Sequence, residues 1–166
     1  MEMKNYICID GKKAELTPEQ LKALGLETEM KSPFEREENQ EYYYIRWDGY
    51  VIKEKDFYGN SDNKVHKVAN YCTNMEMMQQ QAYRETLNRL LWRYSMEHQG
   101  DELDWGTKVK GKCIIQYNHT RREFRSARVY TVEYVGSVTF ATMEIAENAI
   151  REIIEPFIAE HPDFKL

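Results

Sequence analysis

TNMEMMQQQAYRETLNRLLWRYSMEHQG, residues 73 to 100, is where the organisation of the chain is most clearly written. Thr73 and Asn74 can cap a helix, because their side-chain oxygens accept hydrogen bonds from the orphaned N–H groups of a first turn. Gly100 can close it, so the spacing predicts a helix from Met75 to about His98. At helical periodicity Tyr83, Leu87, Leu90 and Tyr94 form one apolar stripe, while Trp92 projects to the other side with Met78 and Met96. A surface helix has no reason to offer such residues to water. The second face therefore packs on the other half of the chain, or on a partner or second copy, which leaves a homodimer open. Arg84, Arg89 and Arg93 flank the stripes, and Glu85 and Glu97 stand where they can pair with Arg89 and Arg93.

Upstream, Asp48-Gly49 separates Tyr42–Trp47 from Tyr50–Phe57, a hairpin signal with a two-residue turn. A polar loop from Tyr58 to Lys64 then leads to a third expected strand, His66–Cys72. Downstream the same order returns. Lys112–Tyr117 reads as a strand, Asn118–Arg121 as a turn, Glu123–Tyr134 as a long strand broken by Gly136, and Ser137–Ala141 as a third strand. Thr142 caps a helix from Met143, with Glu144 and Glu147 near its positive end and Ala146, Ile150, Ile153 and Phe157 along one face. Pro156 should kink or end it, leaving Phe157–Glu160 as a displaced last turn. The fold class read from this pattern is α+β: two antiparallel three-stranded meanders each followed by a helix, arising by duplication or independently.

Ahead of this body lie an expected hairpin from Tyr6 to Leu16 turning at Asp10-Gly11, and a short helix. Thr17 caps that helix, Pro18 suits its first position, Gln20 completes a capping box and Gly25 ends it. The divisions are thus residues 1–30, a polar linker 31–40, a first half 41–105 and a second half 106–166, the halves forming one body.

With 166 residues, 42% of them hydrophobic and 31% charged, the chain has the composition of a folded globular protein. No apolar run approaches the roughly 20 residues that span a bilayer, and the N-terminus lacks the pattern of a signal peptide. A cytoplasmic, membrane-free protein is expected. Cys8, Cys72 and Cys113 are odd in number and widely spaced, and read as reduced, half-buried strand residues.

Two surface constellations stand out. Lys108, Lys110, Lys112, Arg121, Arg122, Arg125 and Arg128 face a single acid, Glu123, within one segment of a chain whose net charge is -5. They can bind an anion, nucleic acid or an acidic protein surface, or be the solvated face of an open sheet. Tyr42, Tyr43, Tyr44, Trp47, Tyr50, Phe57 and Tyr58 form an aromatic cluster. Strand alternation puts Tyr43, Ile45 and Trp47 on one face and Tyr42, Tyr44 and Arg46 on the other, the second being the better candidate for exposure. The candidate aromatic interface is Tyr42, Tyr44, Trp92, Met78 and Met96.

Catalytic and metal signatures are missing from the sequence. His66, His98, His119 and His161 are isolated from any familiar zinc spacing, and no phosphate-binding glycine loop or serine elbow occurs. Asp101, Glu102 and Asp104 around Trp105 read as solvated loop acids. No cofactor and no enzymatic activity are expected.

Five stretches carry a resemblance: Ser32-Pro33-Phe34-Glu35-Arg36, Tyr42-Tyr43-Tyr44-Ile45, Val68-Ala69-Asn70-Tyr71-Cys72-Thr73, the helix Ala82 to Trp92, and His161-Pro162-Asp163-Phe164. In these the chain resembles uncharacterised small proteins encoded by phages and prophages of Gram-positive gut bacteria. The resemblance implies a mobile-element context and transfers no catalytic residue. What it implies is a non-catalytic binding protein acting against host defence, such as an anti-CRISPR protein occupying a Cas nuclease. A nucleic-acid-binding protein using residues 108–128 and an oligomeric virion component are the other expectations.

Overall fold

A computed structural model describes residues 6–9, 12–17, 20, 23–24, 32–98, 112–129 and 136–165. The chain divides into two compact units, Met1–Glu35 and Arg36–Leu166. In the first, β1 (Tyr6–Ile9) and β2 (Lys12–Glu15) pair antiparallel with Ile9 opposite Lys12, the register a two-residue connection requires. The expected capping box is formed. The Thr17 backbone N–H donates to Gln20 Oε1 at 2.9 Å, and the Gln20 N–H donates to Thr17 Oγ1 at 3.3 Å. Pro18 and Gly25 lie outside the described residues.

The second unit begins with Arg36, inside the stretch read as a linker. Its first sheet is β3 (Glu41–Ile45) against β4 (Val51–Lys55). The turn has three residues, where a two-residue turn is expected. The Arg46 N–H donates to the Tyr50 carbonyl and the Gly49 N–H to the Arg46 carbonyl, leaving Trp47, Asp48 and Gly49 as the connection. Gly49 has φ +89°, the left-handed conformation this loop needs at its last residue.

The described residues form neither three-stranded meander. Among the described residues the sheets are three separate two-stranded ones, the third being β5 (Lys112–Asn118) with β6 (Glu123–Val129). The polar stretch expected as a loop is instead helix α1 (Asn60–Lys67), nucleated by Asp62, whose carboxylate accepts from the Gly59 and Phe57 N–H groups. Ala69 then turns the chain at φ 57°. Of the expected strand His66–Cys72, a single bridge between Cys72 and Tyr43 remains.

A side chain takes the missing strand's place. Asn70 Oδ1 accepts from the Ile45 N–H at 2.8 Å and Asn70 Nδ2 donates to the Ile45 carbonyl at 2.7 Å, satisfying both backbone groups with one amide. In the second half Ser137–Ala141 is likewise reduced to one bridge, Cys113 with Phe140, while Ser95 Oγ donates to the Thr139 carbonyl at 2.6 Å. Cys72 and Cys113, both in these bridges, are fully buried rather than half-buried.

Helix α2 (Met75–His98) matches its expected span, with Asn74 Oδ1 accepting from the Met77 N–H. Its apolar stripe packs on the C-terminal segment. Leu87 joins Ile150, Ile154 and Phe157, while Tyr94 joins Cys113, Phe140, Ala146 and Ala149. On the other side Met78 and Ala82 pack beneath the β3–β4 hairpin with Ile45 and Cys72. The C-terminal segment is helical throughout: α3 (Met143–Ala149), capped by Thr142, a π-helical turn (Ile150–Ile154), and α4 (Glu155–Glu160). Pro156 therefore does not end it. The wider π turn precedes the proline, which occupies the first turn of α4, where its missing N–H costs little. The tail is clasped by the buried Gln80, which donates to the Asp163 carbonyl at 2.9 Å and accepts from the Lys165 N–H at 2.7 Å.

If Asn70 substitutes for a strand, Asn70→Leu strips two buried backbone groups of Ile45 of their partners at a cost of about 2 to 3 kcal/mol. Urea melts of parent and variant check this; equal midpoints contradict it.

Candidate functional site

Two sites in the second unit combine charge with aromatic rings. The first is internal. Arg36 places Nε and Nη2 on the two carboxylate oxygens of Asp56, both at 2.6 Å, and Nη1 on Asn63 at 2.8 Å. Its guanidinium lies 4.7 Å from the centre of the Tyr58 ring and 5.8 Å from that of Tyr71. Tyr42 stacks on Tyr71 with ring centres 4.5 Å apart and donates its hydroxyl to Asp62 at 2.9 Å. The hydrogen bonds from Arg36 hold the Asp56 carboxyl below its ordinary pKa against the opposing effect of burial. Burial raises the Tyr42 phenol, helped by Asp62. It also pushes the Tyr71 phenol up to about 12, helped by the neighbouring Asp56, with which Tyr71 makes no hydrogen bond of normal geometry.

Each acid here is occupied by the protein itself. Asp56 also accepts from the Tyr58 N–H, and Asp62 from Tyr42, Phe57 and Gly59. With their lone pairs committed, these carboxylates serve as a lock between residue 36, the end of β4 and α1. Nothing local in the sequence signals the lock, since its partners lie 20 residues apart.

The second site is open to solvent. The hairpin tip comes down on α2 so closely that a β-carbon on Gly49 would lie 3.1 Å from Thr86 Oγ1. Beside this contact is a hollow of about 420 Å³, lined by Trp47, Asp48, Thr86, Arg89, Trp92 and Arg93 among others. Trp47 is 86% exposed and Trp92 58%. Met96, one turn beyond Trp92, is also exposed. Arg89 pairs with Glu85 at 3.0 Å and Arg93 with Glu97 at 3.9 Å along the outside of α2. Asp48 is bound by Arg46, whose hydrogen bonds lower its pKa and keep it ionised.

The expected aromatic interface is thus divided. Trp92 and Met96 are at the surface, whereas Met78 is buried under the hairpin and Tyr42, expected on the more exposed face, is 2% exposed. Tyr44 is half-buried. The correction has a simple cause: Tyr71 and α1 cover the face that strand alternation alone leaves open. Trp47 escapes the alternation because it belongs to the turn and has no strand face to bury it.

The basic segment is divided too. Lys108 and Lys110 lie outside the described residues. In the β5–β6 register Lys112 and Arg125 fall on one face and Arg128, opposite Cys113, on the other. Arg121 and Arg122 sit in the turn, Arg121 pairs with Glu123 at 3.6 Å, and Arg125 donates to Gln116 at 3.2 Å. The described cations of this run therefore make no single stripe in space.

Among the described residues no cluster of His, Cys, Asp or Glu could hold a metal ion, and no helix is long and apolar enough to cross a membrane. No family model matches the chain, and neither does any curated protein or any solved structure.

The lock predicts a defined acid response. A carboxyl whose folded pKa is depressed contributes stability that is complete above its unfolded pKa, about 3.9, and is lost as pH falls through the folded value. Asp56→Asn should cost about 2 to 4 kcal/mol at neutral pH by leaving the Arg36 cation unpaired, and should lose less than the parent on acidification below about pH 4. Denaturant melts at the two pH values test this, and a variant as stable as the parent at neutral pH contradicts it.

Proposed function

We propose that this chain is a non-catalytic binding protein that docks a larger protein through the hollow between Trp47 and Trp92. The observation carrying this reading is the pair of exposed indoles on two different elements, with Arg89 and Arg93 beside them. Tryptophan and arginine are the side chains that most often dominate binding energy at protein interfaces, and a Trp left in water at a hairpin tip contributes little to the fold that carries it.

The setting we propose is that of a mobile-element accessory protein directed against host defence, with a Cas nuclease as one such target. That part of the proposal rests on the sequence resemblance. The Lys108–Arg128 segment is the weaker anchor, because strand alternation distributes its described cations over two faces.

Affinity capture from lysates of Gram-positive gut bacteria, run with parent and with Trp47→Ala/Trp92→Ala, tests the reading. A specific protein should be recovered by the parent and lost from the variant. Its purified form should bind the variant at least about thirtyfold more weakly, as expected when a hot-spot contribution of 2 kcal/mol or more is removed. Equal binding by both proteins sinks the reading.

A further inference from the structure

Resting on that reading, we infer that the occupant of the Trp47–Trp92 hollow is an acidic segment of the partner protein, anchored by one or two apolar side chains between carboxylates. The two indoles and Leu90 supply apolar lining to the hollow, and Arg89 and Arg93 of α2 supply cations. Its one lining acid, Asp48, is bound by Arg46, while the lining cations Arg89 and Arg93 are paired with Glu85 and Glu97, which do not line the hollow. Both guanidinium side chains are well exposed, at 59% and 65%.

Their present partners are easily exchanged. Glu85 is partly exposed and Glu97 fully so, and i,i+4 pairs open to water contribute little. A carboxylate arriving with an apolar side chain that displaces water from the indoles meets the same arginines in a drier setting, where each hydrogen bond is stronger. The net charge of -5 does not oppose this, because charges farther than about 8 Å across water are largely screened at physiological salt.

A single-stranded nucleic acid fits less well. Its phosphates need a continuous cationic track beside the stacking platforms, whereas the cations lining this hollow are two, Arg89 and Arg93, one turn apart on α2. From Arg89 to Met96 the helix advances about 10 Å, which matches three or four residues of extended peptide.

The test follows the indole N–H resonances of Trp47 and Trp92, assigned with Trp→Phe variants, during titration with three probes. These are a peptide of alternating Glu and Leu, its Lys and Leu counterpart, and an oligothymidine of similar length. The Glu/Leu peptide should shift both indoles saturably. Its affinity should fall about tenfold in Arg89→Gln/Arg93→Gln and between about 0.05 and 0.5 M salt. In Glu85→Gln/Glu97→Gln, which removes the competing carboxylates, it should rise several-fold. Equal or stronger binding of the Lys/Leu peptide or the oligothymidine overturns the acidic occupant, as does indifference to all four substitutions. If the Lys/Leu peptide shifts the two indoles, docking at the hollow survives and the occupant's charge is wrong. If no probe moves them and the captured protein ignores Trp47→Ala/Trp92→Ala, both inferences fall.

Discussion

Helix α2 carries apolar side chains on both sides, and the rest of the second unit is arranged to cover them. One stripe, through Leu87 and Tyr94, is buried by the C-terminal helical segment and by Cys113 and Phe140. Among the described residues the opposite side is covered only along its N-terminal half, where Met78 and Ala82 lie under the β3–β4 hairpin. The hairpin ends at Gly49, against Thr86. Beyond that point the apolar side continues as Trp92 and Met96 without a lid among the described residues, and Trp47 at the hairpin tip borders the opening. The proposed docking surface is thus the unfinished part of a packing arrangement, created by a sheet shorter than the helix it covers.

Polar contacts reinforce the apolar packing of that sheet on α2. The β3–β4 hairpin has no third strand among the described residues, and a two-stranded ribbon alone is marginal in water. Asn70 supplies the missing partner to Ile45, the Cys72–Tyr43 bridge adds one rung, and the Arg36–Asp56 pair fastens the entering chain to the end of β4. A buried ion pair adds little net stability over a well-packed apolar alternative, but it tolerates no displacement of either partner. Fixing the hairpin in this way fixes the tip that carries Trp47, where Gly49 meets Thr86 of α2, so the lock and the surface are linked by geometry.

Features encoded within a few residues were legible in the sequence. The capping box of Thr17 and Gln20, the span of α2, the Thr142 cap and the existence of the hairpins all follow from local hydrogen bonding and periodicity. The two third strands were misread because the deciding interactions are distant or belong to side chains. Asp62 folding back on Gly59 turns a polar stretch into a helix, and the Asn70 amide replaces a backbone partner 25 residues away. The surface was half legible for the same reason. The second face of α2 could be read from its period, but which part of it is covered depends on where the hairpin stops. Likewise the exposure of Tyr42 was misjudged because Tyr71, which stacks on it, comes from a segment expected to be a strand.

The central claim, that one side of α2 is buried under the hairpin and then open beyond its tip, is tested most directly by hydroxyl-radical footprinting of the isolated protein with residue-level mass spectrometry. The account predicts rapid oxidation of Trp47, Trp92 and Met96 together with strong protection of Met78 on the same helix. Protection of Trp92 and Met96 equal to that of Met78 would mean that this side is already covered, and the account would be wrong.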